Sequence, residues 1–333
     1  MVVKSKQASY VLLGLSTVLF GCGGENSGLP SQKPSSESSA NVFEIVVTPD
    51  NVSTYLPEQY KAIGKYDDGS TADITHLVNW STVTPDIASF NQAGLAAPIQ
   101  IGSTQVTASL DGITSNEVTL NVIESFVCGH VIGFEIDKEA NGGVDNADAT
   151  NATGKCLKVR EIVDSNDGKT KWFTSTPTAS LLSELGYTAQ DTPDNSGDTY
   201  ASSMVLNIGL APVDGDFAYF RQDGDGVVLP GTGNDAQAGV NGQFDRWCQK
   251  LATINFAGQS NWRRPDQSEL QELYSFNNPT SDGMYPRFGW PTVFNYLSST
   301  VNGSTFNAIG LSAGAIGSPS ADLSNSASCV SSF

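Results

Sequence analysis

The sequence predicts an all-β sandwich followed by an α+β domain, both carried behind an export leader and a polar tether. Three observations predict it. Between Val42 and Ile123, short apolar alternations recur at regular spacing, separated by turn residues and uninterrupted by any helical period. After Phe126 the composition shifts toward Asn, Asp, Gly and Ser, and helical stripes stand among strands; Phe244, Trp247, Cys248 and Leu251 follow i, i+3, i+4, i+7. Four of the five cysteines, Cys128, Cys156, Cys248 and Cys329, fall in this second region, an even number that suits a stapled exported domain.

The leader comes first. Lys4 and Lys6 give a positive start, and Tyr10 to Phe20 is an apolar stretch. That stretch is too short to span a bilayer core of about 30 Å. It ends in Leu19-Phe20-Gly21-Cys22, which resembles the lipobox of bacterial lipoproteins. The resemblance implies a signal peptide over residues 1–22, lipid modification of Cys22 and a stable anchor of more than one acyl chain. Gly23, where an Asp would signal retention, implies the outer membrane of a Gram-negative cell. Residues 23–40 hold almost no large apolar side chain and read as a flexible tether.

The sandwich is expected over residues 41–123. Phe43, Ile45 and Val47 alternate with Glu44 and Val46, and Thr48-Pro49-Asp50 turns the chain. Asp67-Asp68-Gly69-Ser70 is a tight-turn signal after Tyr66. Trp80, the segment's one tryptophan, is expected as its large core residue, and His76 as a solvated strand end. Several runs resemble the group 2 bacterial Ig-like domain of intimin and invasin. They are Val47-Thr48-Pro49, Tyr66 to Ser70, Asp73-Ile74-Thr75, Val78-Asn79-Trp80-Ser81, Pro85-Asp86-Ile87-Ala88, Gly94-Leu95-Ala96 and Val118 to Val122. The resemblance implies a spacer, with a local change at Ala97-Pro98-Ile99-Gln100.

The second domain is expected over residues 124–333. A helix begins at Pro265-Asp266, with Asp266 as N-cap and Glu269 reaching back as in a capping box. Leu270, Leu273 and Tyr274 form its inner face, and Asn277-Asn278-Pro279 stops it. A further helix is expected near Thr178–Gly186. Strands are expected over Thr292–Thr300, Phe306–Ser312 and Ser328–Val330. Four cysteines allow three pairings, and spacing favours Cys128–Cys156 with Cys248–Cys329. The run Trp247-Cys248, Asn261-Trp262-Arg263, Pro265, Glu269-Leu270, Gly289-Trp290-Pro291-Thr292, Tyr296 to Thr300 and Cys329-Val330 resembles C-type-lectin-like adhesion domains. Its relatives are the intimin-type and Lcl-type C-terminal domains. In that family a cysteine on the first helix pairs with one on the last strand, which again points to Cys248–Cys329. Arg264 departs from the family's usual apolar residue, and Leu297 from its usual Trp. Trp262 is expected as a core plug and Arg263 as the partner of a carboxylate.

Function classes narrow accordingly. A formal charge of −18 disfavours nucleic acid and anionic lipid as partners. His76 and His130 are the only histidines and lie in different domains, so a multi-histidine zinc site within one domain is excluded. No convergent acid/base set stands out and no catalytic residue is assigned, so the chain is expected not to be an enzyme. The Glu-Pro-Asn or Gln-Pro-Asp loop of calcium-dependent sugar binders is absent. Asp223-Gly224-Asp225 places oxygen ligands alternately, so Asp223 and Asp225 are weak calcium candidates; no cofactor is expected otherwise. Tyr285, Phe288 and Trp290 are the candidate contact patch, with Trp290 read equally as a core residue. The expected function is a cell-surface lipoprotein adhesin, held to the membrane through its lipid, that meets a host or matrix protein or a glycan. The alternatives are a periplasm-facing envelope lipoprotein and an enzyme on the lectin-like fold.

Overall fold

Short β-strands dominate the chain. The computed structural model describes residues 40–206, 215–224, 241–277, 284–303, 305–320 and 322–333. The leader, Cys22 and nearly all of the tether lie outside these residues. Asn41–Phe333 forms one compact unit.

Residues 41–123 fold as stacked antiparallel sheets. One contains Val42–Thr48, Lys61–Tyr66 and Thr71–Asp73. The other is built on Gly102–Leu110, which pairs with Ile113–Thr114, Val118–Val122 and Asn79–Thr82. Val118–Val122 also pairs in parallel with Asn51–Thr54. A smaller sheet joins Glu58–Gln59, Leu95–Pro98 and Ala88–Phe90. The period-2 pattern decides which face is buried: Val118, Leu120 and Val122 are enclosed, while Thr119 and Asn121 between them are half-buried. Ile45, Val47, Tyr60, Ala62, Ile74 and Val106 complete the core between the sheets.

Two expectations are corrected here. Phe43 does not join Ile45 and Val47 inside; it is 57% exposed. A register shift between Val42 and Glu44 breaks the alternation at that point. Trp80 is half-buried, and the fully enclosed aromatic is Tyr60. The Trp80 indole N–H donates to the Thr75 carbonyl at 3.0 Å, and its ring stacks on Phe90 at 5.3 Å. An indole that must satisfy its N–H settles where a carbonyl is within reach, short of the dry centre.

Residues 124–333 mix helices with small sheets. Helix α1 (Ala179–Glu184) is capped by Thr178, whose hydroxyl accepts from the Leu181 N–H, and it buries Leu181 and Leu182. Helix α2 (Gln243–Thr253) buries Phe244, Trp247, Cys248 and Leu251, the stripe read in the sequence. Helix α3 (Gln267–Asn277) carries the capping box: the Glu269 N–H donates to Asp266 at 2.8 Å and the Asp266 N–H to Glu269 at 2.9 Å. Helix α4 (Met284–Phe288) is a short turn that the sequence reading missed. Thr170–Thr174 pairs on one edge with Val159–Val163 and on the other with Val330–Ser332. Tyr296–Asn302, Thr305–Ile309 and Ile316–Gly317 form another sheet, and Ser202–Leu206 pairs with Gly215–Tyr219. The last strand therefore lies slightly after its expected place at Ser328–Val330.

Both disulfides are present, Cys128–Cys156 and Cys248–Cys329. The second ties α2 to the residue just before the final strand. No helix among the described residues is long and apolar enough to cross a membrane.

Candidate functional site

The stretch Phe244–Thr300 is framework. Trp262 is 3% exposed, and its indole N–H donates to the Phe256 carbonyl at 2.8 Å. Arg263 grips Glu269 through two hydrogen bonds of 2.8 and 2.7 Å. Glu269 also takes the Lys171 ammonium at 2.9 Å, and Lys171 reaches buried Asp164 at 2.6 Å. These charge-assisted bonds hold the Glu269 carboxyl below its usual range against the upward push of burial. The group is fully engaged within the chain.

The patch expectation is contradicted at Phe288, and Trp290 takes its alternative place in the core. Phe288 and Trp290 are 2% and 0% exposed, in the cluster with Phe173, Leu270, Leu273 and Tyr296. The Arg160 guanidinium lies 3.9 Å over the Phe288 ring. The side chain of Tyr285 lies outside the described residues. Phe288 ends α4 and Trp290 follows it, and both turn onto a core assembled from distant strands and α3, which the sequence did not reveal.

The calcium candidates fare no better. Asp223 is buried, and both its oxygens accept from Arg221 at 2.6 Å. Arg221 also binds Asp191 at 3.0 Å. Asp225 lies outside the described residues. In the acidic loop over residues 137–148, Asp145 pairs with Arg160 at 2.6 Å, while Asp148 accepts from the Thr150 N–H and caps a short turn. The buried Lys158 ammonium donates to Asn146, Asn151 and the Asp148 carbonyl at 2.9 to 3.0 Å. That loop already holds an internal cation. Among the described residues, no group of three or more His, Cys, Asp and Glu is placed to hold a metal ion.

An open concave feature lies elsewhere, at the seam between the sandwich and the second region. Tyr55 makes the seam. It follows Asn51–Thr54, whose pairing with Val118–Val122 brings it beside the crossing at Ile123. Its ring meets Phe126 and His130 edge-on at 6.0 and 5.9 Å. Its hydroxyl accepts from the Ala257 N–H at 3.3 Å, and burial pushes the phenol up to about 12. The chain after α2 turns sharply to offer that N–H: Asn255 and Ala257 both take the left-handed conformation, with φ of 51° and 54°.

A cleft of about 550 Å³ opens along this seam. Its lining includes Tyr55, Phe134, Glu135, Trp172, Asn255 and Gln259. Phe134 is 53% exposed, unusual for so large an apolar ring. Trp172 is fixed, its N–H donating to Glu161 at 2.8 Å while Lys138 holds the other oxygen of Glu161 at 2.6 Å. Phe333 packs edge-on against Trp172 at 4.9 Å. The side chains of Glu135, Asn255 and Gln259 make no hydrogen bond within the described residues. None of these cleft residues stands out in the sequence as a candidate site residue. One signal was legible: Asn255, just past the last apolar residue of α2, is a common left-handed helix terminator. Convergence of residues 55, 134, 172 and 259 is tertiary and left no local trace.

Comparison with known proteins is narrow. No family model matches the chain. A stretch of 109 residues is 37% identical to Ice-binding protein 1 of Shewanella frigidimarina, covering 32% of this chain and 12% of that protein's length. A solved structure of the Yersinia pseudotuberculosis adhesin InvE aligns over 85% of this chain and 96% of that chain, at 12% identity and a TM-score of 0.28. A score that low carries no argument.

Proposed function

We propose that the chain is a surface lipoprotein adhesin. Its Ig-like sandwich presents a C-type-lectin-like domain, residues 124–333, that makes no chemical change to what it binds. The lipid on Cys22 anchors it to an outer membrane, and the tether and sandwich lift the binding region from the bilayer. The observation that carries the reading is the seam cleft, with an exposed aromatic ring and uncommitted polar side chains between fixed walls. Pockets of this size with a few convergent polar groups are the usual form of a ligand site. Pairing of Cys128, Cys156, Cys248 and Cys329 in disulfides leaves the region no thiol nucleophile, which supports a binding role. Both oxygens of Asp223 are taken by Arg221, which supports a contact that does not use Asp223 as a calcium ligand.

The test is adhesion. Cells carrying the chain, and cells lacking it, are compared on immobilised glycans and matrix proteins, with and without a chelator. Retention by the carrying cells alone, insensitive to chelator, is expected. Protease shaving of intact cells separates this from a periplasm-facing envelope lipoprotein, which would survive conditions that cut a known surface protein. The partial match to a protein named for ice binding supports a second reading, contact with ice. Thermal hysteresis of the full-length chain above that of a buffer control is the observation it requires.

A further inference from the structure

We infer that Lys158 and Asn146 join in an intramolecular amide cross-link, the lysine nitrogen taking the place of the asparagine side-chain nitrogen as ammonia is released. The cross-link stands apart from the adhesion reading and does not rest on it.

Two buried lysines of the second region differ in what surrounds them. Lys171 meets the carboxylates of Asp164, Asp167 and Glu269. Against the lowering effect of burial, they raise its ammonium above the usual range. Lys158 is 2% exposed, and its three partners are neutral: Asn146 Oδ1 at 3.0 Å, Asn151 Oδ1 at 2.9 Å and the Asp148 carbonyl at 2.9 Å. Burial lowers this amine to about 8, against the raising effect of the Asp148 carboxylate and with a further push from Arg160. The neutral, nucleophilic form is therefore within reach near neutral pH.

A neutral amine has two N–H donors and one lone pair. The Asp148 carbonyl and Asn151 Oδ1 accept the two donors, which leaves the lone pair for Asn146. The Asn146 carboxamide is the one prepared for attack. Its Oδ1 also accepts from Asn151 Nδ2 at 3.0 Å and from the Asp148 N–H at 3.2 Å. Donors fixed on a carbonyl oxygen stabilise the charge that develops there as a nucleophile adds to carbon. A C=O bond of about 1.2 Å puts Asn146 Cγ no more than about 4.2 Å from the amine, short of attack distance by a small side-chain rotation.

Both partners are held in place. The Asp145 N–H donates to the Val159 carbonyl at 2.9 Å, which lays the loop along the strand Val159–Val163. The Asn146 carboxamide presses on Gly129, where φ is 82° and a Cβ would stand 2.2 Å from Nδ2. In the step itself the Nζ–Cγ bond forms and the Cγ–Nδ2 bond breaks. One amine proton passes to Nδ2, which leaves with the bonding pair as ammonia, so no oxidant or co-reactant is needed. Gly129 and Asn151 line an open pocket of about 440 Å³, which gives the ammonia a way out. The new bond lies beside Cys128–Cys156 and, unlike that bridge, survives reduction.

The experiment is peptide mapping by mass spectrometry. Full-length protein, stored folded, is denatured, reduced, alkylated and digested with trypsin. The expected dominant product is a branched peptide, residues 139–155 joined to residues 156–160 through Asn146 and uncleaved after Lys158. Its mass is the sum of the two peptides less one ammonia. Lys158→Arg keeps a cation but cannot form the bond, and Asn146→Asp offers the lysine a carboxylate in the same shape; both should give the peptides unjoined. Three outcomes in the wild-type protein overturn the assignment, whatever the variants do. They are a dominant unmodified 139–155 peptide with cleavage after Lys158, a branch that runs through Asn151, and an Asn146 converted to Asp by water rather than joined to Lys158.

Discussion

Asp245 and Arg264 form an ion pair whose two members are both held against their preference. Arg264 is buried and its guanidinium nitrogen lies 3.7 Å from Asp245. Burial lowers the guanidinium to about 10, against the raising effect of Asp245. Burial likewise raises the Asp245 carboxyl to about 6, against the lowering effects of Arg264 and Arg246. Desolvation outweighs attraction on both sides, as buried pairs often show. Arg264→Ala should therefore cost about 3 kcal/mol in denaturant unfolding, because Asp245 loses its buried partner and is left with Arg246 and the Gln249 amide. The double change Asp245→Asn with Arg264→Met should be neutral or stabilising. The pH dependence has a definite sign. With its folded value above its unfolded one, Asp245 binds its proton more tightly in the folded state. Its contribution is full below about 4 and lost as pH rises through about 6. Wild-type stability, measured against Asp245→Asn, should fall across that interval.

Among the elements, α2 and α3 are the supports of the second region, each held by a different device. Cys248–Cys329 closes a loop of sequence separation 81. Replacing both cysteines by Ala should lower stability by about 4 kcal/mol on the chain-entropy account, read by thermal unfolding under non-reducing conditions. Helix α3 depends on Glu269, which caps its own N-terminus and binds Arg263 and Lys171. Glu269→Gln keeps the shape and removes the charge, leaving buried Lys171 to Asp164 and Asp167; a loss of about 3 kcal/mol is expected. These devices were legible in the sequence because they are local or periodic. The capping box spans three residues, and the α2 stripe repeats at helical spacing. The Arg263 carboxylate partner was anticipated, though its identity as Glu269 was not. Phe43 was misplaced because a strand bulge breaks the alternation that a pattern reader assumes.

For the whole molecule, the joint at Tyr55 matters most. One side chain touches Phe126, His130 and the Ala257 N–H, and so fastens the sandwich to the second region. Tyr55→Ala should cost about 3–5 kcal/mol and split a single unfolding transition into two. Amide exchange at residues 255–258 should speed up with it. Tyr55→Phe should keep the joint and lose only the hydrogen bond. The seam is also where the cleft lies, so the joint and the walls of the cleft have one origin.

The sequence by itself determined the stranded first region and the helices α1 to α3. It also anticipated the disulfide pairing. Each is set by local pattern, by composition or by spacing along the chain. Tertiary structure alone decided that Phe288 and Trp290 are interior and that Asp223 is spent on Arg221. It also decided that a cleft forms where Tyr55, Phe134, Trp172 and Gln259 converge. Those outcomes depend on which distant surfaces meet, and no period or spacing in a single chain encodes which residues will share a wall.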